Sequence, residues 1–253
     1  MAARRRLDAE LLRRDLAPSR TVAQQLIEAD RVLVNGAVAA KASRQVSPGD
    51  AIVVDGPPAR FVGRGAEKLE HALDEFGIAV DGLRLLDAGA STGGFTDSVL
   101  QRGARQVVAV DVGHGQLHER LRGDDRVVNL ERQNIRAVDA DVIGGLVDGV
   151  VGDLSFISLR LVITPVLAVC QPGGFMELLV TPQFAAGRAE VSRGKGVIID
   201  PAIHDRVRSE IDAALTDAGC TVRGWTTSPI TGADGNVEFL VHATTPDERG
   251  ASR

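Results

Sequence analysis

The hydrophobic pattern of the first sixty residues predicts two helices followed by a small sheet. Leucines recur at helical spacing between residues 7 and 16, and Pro18 ends that helix. Ser19 is placed to cap a second helix. Two short β-prone runs then flank Asn35-Gly36, which is a strong signal for a β-hairpin. A Ser-Pro-Gly-Asp turn leads into a last strand over residues 51–54, so this segment is predicted to be a small α+β module.

Beyond residue 60 the pattern changes to strands that alternate with amphipathic helices. Gly56-Pro57-Pro58 marks a linker between the two patterns. The predicted strands are Leu83 to Asp87, Gln106 to Asp111, Val127 to Leu130, Val147 to Asp153, Phe175 to Val180, Thr221 to Thr227 and Val237 to Thr244. The predicted helices surround Lys68, Asp97, Leu117, Leu159 and Arg206. Such alternation favours an α/β domain with a mostly parallel sheet covered on both faces.

The predicted boundaries follow from these two patterns. The small module spans residues 1–56, a linker covers 57–63, the α/β domain spans 64–247, and residues 248–253 form a flexible tail.

Composition narrows the class of protein. With 44% hydrophobic and 25% charged residues, the chain is typical of a globular protein. No apolar run approaches the roughly 20 residues that cross a bilayer, and the N-terminus is arginine-rich, so we expect a cytoplasmic protein with no membrane partner. Cys170 and Cys220 lack metal-knuckle spacing and lie in apolar stretches; they are predicted to be buried free thiols, with no metal site.

Charge is distributed unevenly between the two segments. The net charge of -5 divides into +3 for residues 1–60, with ten Lys and Arg against seven Asp and Glu, and -8 for the remainder, with 19 against 27. A polyanion would therefore meet the N-terminal module first. The acidity of the larger segment counts against RNA binding there.

A run of small residues follows the first strand of the α/β domain. Asp87-Ala-Gly-Ala-Ser-Thr-Gly-Gly-Phe-Thr96 connects a strand to a helix, and small residues there let the backbone approach a ligand closely. Asp111 ends the next strand and can accept hydrogen bonds from ribose hydroxyls. Glycines alone are also consistent with a tight turn that binds nothing. Together with Asp111, they favour a cofactor that contains adenosine.

The same run contains the pattern of a serine-hydrolase nucleophile elbow, Gly89-Ala-Ser91-Thr-Gly93. A hydrolase of that kind needs a late histidine on a loop. Of the two late histidines, His204 is predicted to be helical and His242 to lie within a strand. The pattern therefore disfavours a hydrolase.

Asp153 ends the fourth predicted strand, at the same sheet edge as Asp87 and Asp111. A carboxylate in this place is consistent with a helix cap. Next to a cofactor loop, it is equally consistent with a catalytic role.

Two sets of motifs give the chain a specific resemblance to a known family. Residues 4–54 resemble the RNA-binding module of ribosomal protein S4, through Ser19-Arg20, Val34-Asn35-Gly36, Lys41-Ala-Ser43 and Gly49-Asp50. From residue 61 on, the chain resembles the TlyA family through Arg64-Gly65-Ala-Glu-Lys68-Leu, the 87–96 run, Asp111-Val-Gly-His-Gly-Gln-Leu117, Asp153-Leu-Ser-Phe-Ile-Ser158, Pro182-Gln-Phe184 and Gly235-Asn-Val-Glu238. The resemblance implies a Rossmann-like S-adenosylmethionine-dependent methyltransferase fold, related to the FtsJ group, that acts on the ribose of ribosomal RNA.

The resemblance also implies a catalytic tetrad of Lys-Asp-Lys-Glu type. Its first lysine corresponds to Lys68, its aspartate to Asp153 and its glutamate to Glu238. Thr181 stands where the family has the second lysine, and Ala185 where it has a glutamate. The linker also departs from the family's Arg-Ala-Trp-Val stretch, because residues 59–62 read Ala-Arg-Phe-Val.

The remaining expectations from this resemblance concern ligands. The expected cofactor is S-adenosylmethionine, and its predicted binding residues are Asp87, Gly89, Ser91, Thr92, Gly93, Gly94, Phe95, Thr96, Asp111, Asn134 and Asp153. The expected partner is ribosomal RNA or a ribosomal subunit, with predicted contacts from Arg4, Arg6, Arg20 and Lys41. Residues 1–60 contain no aromatic side chain, so recognition would depend on phosphate charge and shape.

Thr181 leaves three mechanistic alternatives open, because a threonine cannot remove a proton from a ribose hydroxyl at pH 7. In the first, Asp153 serves as the base. In the second, the acceptor is more acidic than a ribose hydroxyl or already anionic. In the third, the fold binds the cofactor without transferring its methyl group. Three functional hypotheses correspond to these: an attenuated ribosomal RNA ribose methyltransferase, a homologue recruited to a small-molecule biosynthetic reaction, and a non-catalytic RNA-binding protein. Because the site is otherwise intact, the sequence favours the first.

Overall fold

The computed structural model describes residues 4–17, 20–56, 60–154, 158–185, 197–232 and 235–247. The chain folds as two compact units, residues 1–60 and 61–253, and the division falls inside the linker predicted at 57–63. The predicted cap Ser19 and the predicted tail 248–253 lie outside the described residues.

The first unit contains two helices and two small sheets. Its elements are β1 (Arg5–Arg6), α1 (Leu7–Arg13), α2 (Arg20–Glu28), β2 (Val32–Val34), β3 (Ala37–Val38), β4 (Gln45–Val46) and β5 (Ile52–Val54). Strands β3, β2 and β5 form an antiparallel sheet in that order, and β1 pairs with β4. The predicted hairpin is confirmed, since Asn35 and Gly36 both have positive φ, at 54° and 80°.

Two features of this unit differ from the hydrophobic pattern. The first helix ends at Arg13 rather than continuing towards Pro18, because Asp15 adopts a left-handed conformation and the Leu16 N–H donates to the Leu11 carbonyl. The pairing of β1 with β4 was not predicted, since two-residue strands carry no detectable period. Leu7, Leu11 and residues of β2 form the buried core.

The second unit is built on a seven-stranded sheet with the order β11-β12-β10-β9-β6-β7-β8. Its strands are β6 (Arg84–Ala88), β7 (Gln106–Val110), β8 (Val127–Leu130), β9 (Val147–Gly152), β10 (Cys170–Val180), β11 (Thr221–Thr227) and β12 (Phe239–Thr244). Among these described strands, β12 alone runs against the others. All seven lie within one or two residues of the predicted positions, except that β10 begins five residues earlier.

Helices cover both faces of this sheet, as the alternation predicted. They are α3 (Gly65–Glu75), α4 (Gly94–Gln101), α5 (Glu119–Arg122), α6 (Ala140–Ile143), α7 (Ile163–Val169), α8 (Pro182–Ala185) and α9 (Pro201–Asp217). Neighbouring residues of β6 point to opposite faces: Leu85 joins the apolar cluster under α3 and α4, whereas Leu86 joins the cluster under α7 and α9. The helices predicted around Leu117 and Leu159 are present, and both begin slightly later: Leu117 is a buried residue before α5, and Leu159 begins a 3-10 turn before α7.

Cys170 and Cys220 are both buried, as predicted, and both are thiols. Within the described residues, no helix is long and apolar enough to cross a membrane.

Candidate active site

The small-residue loop is held at the carboxyl edge of the sheet by backbone hydrogen bonds. The N–H groups of Gly89 and Ala90 both donate to the Val110 carbonyl, at 2.9 and 3.1 Å. Gly89 has a φ of 84°, and a Cβ placed there would lie 2.5 Å from the Asp153 backbone oxygen. Only glycine fits this position, because a side chain would push apart the ends of β6 and β9.

A pair of glycines brings the first turn of α3 against the loop. A Cβ at Gly94 would lie 3.0 Å from the backbone nitrogen of Ala66, and one at Gly63 would lie 2.8 Å from Oγ1 of Thr92. This close approach places α3, and Lys68 within it, next to the loop and the strand ends.

Asp111 links the loop to the next strand end. Its carboxylate accepts from the Ser91 N–H at 2.8 Å and from the Gly113 N–H at 2.7 Å. Beside it lies a small cleft, lined by Ala90, Ser91, Asp111, Gly113, Gln116, Leu117, Asn129 and Glu131. A partly exposed carboxylate beside a glycine-containing loop is a suitable acceptor for ribose hydroxyls.

Apart from Gly89 and Asp153, which meet at the ends of β6 and β9, the predicted cofactor residues fall into three groups. Ser91 and Asp111 line the cleft, with Thr92 exposed beside them. The second group is buried where the loop leaves β6 and enters α4: Asp87, Gly93, Gly94, Phe95 and Thr96. Asn134 is exposed and caps a short 3-10 turn, accepting from the Arg136 N–H at 3.0 Å.

Some residues of the cleft were missed by sequence reasoning. Glu131 follows β8 as Asp111 follows β7, and it accepts from the Gly115 N–H at 2.9 Å. Its position directly after a strand end was the signal that could have identified it. Gln116 and Asn129 carry no such signal, since polar residues at exposed positions are common.

Asp87 is fully buried under the loop. Its Oδ2 accepts from the Thr96 hydroxyl at 2.6 Å, while Oδ1 has no hydrogen-bond partner among the described residues. Burial raises the pKa of Asp87 to about 7, and the negative charges of Asp153 and Asp111 add to this rise. The carboxyl group therefore prefers the protonated form in the folded protein.

We expect this raised pKa to make the second unit less stable as the pH rises from 4 to 8. Unfolded Asp87 loses its proton near its usual pKa of 3.8, whereas folded Asp87 keeps it to about pH 7, so the folded state loses stability across that window. Over this window the free energy of unfolding should fall by on the order of 4 kcal/mol. Urea unfolding followed through Trp225, the single tryptophan, measures it.

Asp87→Asn is the matched variant for that measurement, because it preserves the shape and removes the titration. The stability of the variant relative to the original protein should improve by a few kcal/mol between pH 5 and pH 8. An equal difference at the two pH values would contradict the expectation.

Three of the predicted tetrad residues meet at this edge of the sheet. Lys68 Nζ lies 2.7 Å from Glu238 Oε2 and 3.2 Å from Asp153 Oδ2. The Lys68 and Glu238 side chains are 8% and 6% exposed, whereas Asp153 is 28% exposed. Asp153 is therefore the tetrad carboxylate that solvent and an acceptor can reach most easily.

Thr181 completes the group from the end of β10. Val180 of β10 pairs with Phe239 of β12, and the two strands are antiparallel. Thr181, which follows Val180, is therefore next to Glu238, which precedes Phe239. The Thr181 hydroxyl accordingly donates to Glu238 Oε1 at 3.1 Å. All four predicted catalytic residues thus form one connected polar cluster.

The arrangement does not support a serine hydrolase. Nε2 of His204 lies 3.0 Å from the Ile198 carbonyl, and Nδ1 of His242 lies 3.3 Å from a Glu177 carboxylate inside the sheet. Both late histidines are therefore engaged away from Ser91.

The predicted RNA contacts of the first unit lie on its surface. Arg4, Arg6, Arg20 and Lys41 are all exposed. The structure therefore leaves each of them available to a large ligand.

Comparison with known proteins first identifies the class. An S-adenosylmethionine-dependent methyltransferase from Mesorhizobium loti has the same fold, with a TM-score of 0.51 and 18% identity over 69% of this chain and 96% of its own. The class follows from a match of residues 61–245 to an FtsJ-like methyltransferase model, and the fold, the glycine loop and Asp111 agree with a methyltransferase that uses S-adenosylmethionine. The partly exposed carboxylate of Asp111 at the cleft suits the ribose hydroxyls of that cofactor.

The particular family follows from longer matches. An FtsJ-like methyltransferase model matches residues 61–245, and an S4 domain model matches residues 5–52. A 16S/23S rRNA (cytidine-2'-O)-methyltransferase TlyA from Mycobacterium tuberculosis is 46% identical over 100% of this chain and 94% of its own. A solved structure of a candidate hemolysin from Streptococcus thermophilus has a TM-score of 0.77 and 38% identity, over 98% of this chain and 90% of its own. The chain belongs to the TlyA family of FtsJ-like methyltransferases.

Proposed function

We propose that this protein transfers the methyl group of S-adenosylmethionine to a ribose 2'-hydroxyl of ribosomal RNA, at a rate limited by Thr181. The observation that carries the proposal is the cluster of Lys68, Asp153, Glu238 and Thr181 directly beside the cofactor loop. Gly89 of the cofactor loop connects the loop to this cluster, because it packs against the backbone oxygen of Asp153.

The cluster is suited to orienting an acceptor hydroxyl. S-Adenosylmethionine supplies an electrophilic methyl group, which must be attacked in line with its carbon-sulfur bond. Lys68 fixes Asp153 through their 3.2 Å contact, and the exposed side of Asp153 can accept a hydrogen bond from the hydroxyl. Holding the oxygen in one direction supplies much of the acceleration in such a displacement.

The charge of the cluster explains the expected slow rate. One lysine faces two carboxylates, so Lys68, Asp153 and Glu238 carry a net charge of -1 when all are ionised. A second amine in the place of Thr181 would, in its neutral form, accept the proton of the hydroxyl, and the ammonium formed in that step would balance this charge. Without it, a carboxylate is the base that remains, and a carboxylate is a much weaker base than an amine.

The first unit supports ribosomal RNA as the substrate. It matches an S4 domain over residues 5–52, and its predicted contacts are exposed arginines and a lysine. The relatives named as ribosomal RNA methyltransferases match through both units, which does not favour recruitment to a small-molecule reaction. We propose that the partner is a ribosomal subunit.

The test is transfer of labelled methyl from S-adenosylmethionine to purified ribosomal subunits, followed by digestion to nucleosides. We expect slow incorporation into a 2'-O-methylated nucleoside. The proposal is wrong if cofactor binding is measurable by calorimetry but neither the original protein nor a Thr181→Lys variant labels RNA.

A further inference from the structure

A buried carboxylate in the first unit holds two arginines of the predicted RNA-binding surface. Asp8, the second residue of α1, has no exposed side-chain surface. It accepts from Nε and Nη2 of Arg6 at 3.1 and 2.9 Å, and from Nη2 of Arg20 at 3.1 Å. Gln24 Nε2 and the Ala9 N–H complete its hydrogen bonds, at 3.1 and 2.9 Å.

The two arginines come from separate elements and meet only through Asp8. Arg6 lies in β1, and Arg20 begins α2. Their Nη2 atoms bind the same oxygen, at 2.9 and 3.1 Å, so these two nitrogens lie within about 6 Å of each other. Two guanidinium groups at that separation can contact the oxygens of a single phosphate.

Both guanidinium groups keep donors for a ligand. Their side chains are 45% and 55% exposed, whereas Asp8 is covered. A guanidinium has five N–H donors, and the bidentate contact of Arg6 with Asp8 uses two of its nitrogens. Two positive charges against one negative charge leave the trio with a net charge of +1.

Fixing the arginines in advance matters because flexible side chains lose entropy when they bind. Ordering one long side chain at an interface weakens binding by roughly twofold to tenfold. Asp8 imposes this order in the free protein. The Arg6 guanidinium holds the pKa of Asp8 well below its usual range, so Asp8 keeps its negative charge at physiological pH and stays paired with both arginines.

We infer that Asp8 is a positioning residue, which sets Arg6 and Arg20 as a fixed pair that binds one phosphate of the RNA backbone. The inference rests on the proposed function, because it assigns the role of a surface that is expected to bind ribosomal RNA. It extends that function by naming a residue that touches no RNA itself.

The same helix offers a matched control. Glu10 is 2% exposed and binds Arg13 and Arg14 at 2.6 and 2.8 Å. Arg14 also donates to the carbonyls of Asp50 and Pro48, so its position does not depend on Glu10 alone. Glu10→Gln therefore removes a similar buried carboxylate without disturbing the pair on Asp8.

The experiment measures binding of ribosomal subunits by full-length protein across a range of salt concentrations. We expect Asp8→Asn to weaken binding by about tenfold, with unchanged affinity for S-adenosylmethionine. In the methyl-transfer assay, it should raise KM for subunits and leave kcat unchanged. Glu10→Gln should bind within about twofold of the original protein.

A double-mutant comparison separates positioning from a general structural effect. Combining Arg6→Ala with Arg20→Ala should make the plot of log affinity against log salt concentration less steep, by the amount expected for the loss of about one phosphate contact. Adding Asp8→Asn to that pair should cause no further loss. The inference is overturned if Asp8→Asn binds like the original protein, or if it weakens the double alanine variant by the same factor.

Two further results have defined meanings. If Asp8→Asn fails to fold by circular dichroism, Arg20→Lys decides, since lysine keeps the charge but not the planar donors. Binding several-fold weaker than the original supports the inference, and unchanged binding refutes it. If the original protein does not bind subunits at all, the proposed function itself fails.

Discussion

Thr181→Lys should methylate ribosomal subunits roughly 100-fold to 10,000-fold faster than the original protein. A positioned proton acceptor contributes about this factor, and Thr181 lies where its replacement would meet Glu238. Once the new amine has taken the proton of the hydroxyl, its positive charge would bring the cluster from -1 to zero. Single-turnover transfer of labelled methyl measures the rate, and the rate of the variant should rise with pH as the amine loses its proton.

Thr181→Met is the control for that gain. Methionine is similar to lysine in length and flexibility but has no amine, so it should not accelerate transfer. Equal rates in the lysine and methionine variants would contradict the role assigned to the amine. A faster methionine variant would show instead that shape limits the reaction.

Lys68→Met should abolish detectable transfer and destabilise the second unit by about 3 kcal/mol. Lys68 is the shared partner of Asp153 and Glu238, and Glu238 is only 6% exposed. Removing one member of a buried ion pair leaves an uncompensated buried charge, which accounts for the loss of stability. Denaturant unfolding followed through Trp225 measures the stability, and the methyl-transfer assay measures the activity.

Lys68→Met combined with Glu238→Met separates the two effects. With both partners replaced by apolar side chains, most of the lost stability should return, while activity should remain absent. If the double variant is as unstable as the sum of the single variants, the two residues do not form an energetically coupled pair.

The sequence predicted the strands of the second unit well for a physical reason. Buried parallel strands are continuous apolar runs bounded by polar residues, so β6, β7 and β9 are visible in the pattern. Short elements were the failures. The two-residue strands β1 and β4 depend on pairing between distant segments. Helix α1 ends where the Leu16 N–H donates to the Leu11 carbonyl. Neither feature can be predicted from the spacing of hydrophobic residues.

The site was predicted in part from strand ends and in part from resemblance. Asp111 and Asp153 follow apolar strands, and that position alone identified them. Lys68 on α3 and Glu238 before β12 carry no such local signal, so they came from the family pattern. The supporting role of Asp87 could not be read from sequence, because its burial results from packing of the loop above it.

The reversed direction of β12 has a consequence for biosynthesis. Because β12 runs against its neighbours, its beginning lies at the edge where the other strands finish, and this geometry delivers Glu238 to Lys68. The carboxylate that completes the centre is thus supplied from a position 57 residues after Thr181. A chain that stops before residue 238 would keep the cofactor loop and the contact of Lys68 with Asp153, yet it would lack the second carboxylate on Lys68, so the centre can form only after residue 238 has been synthesised.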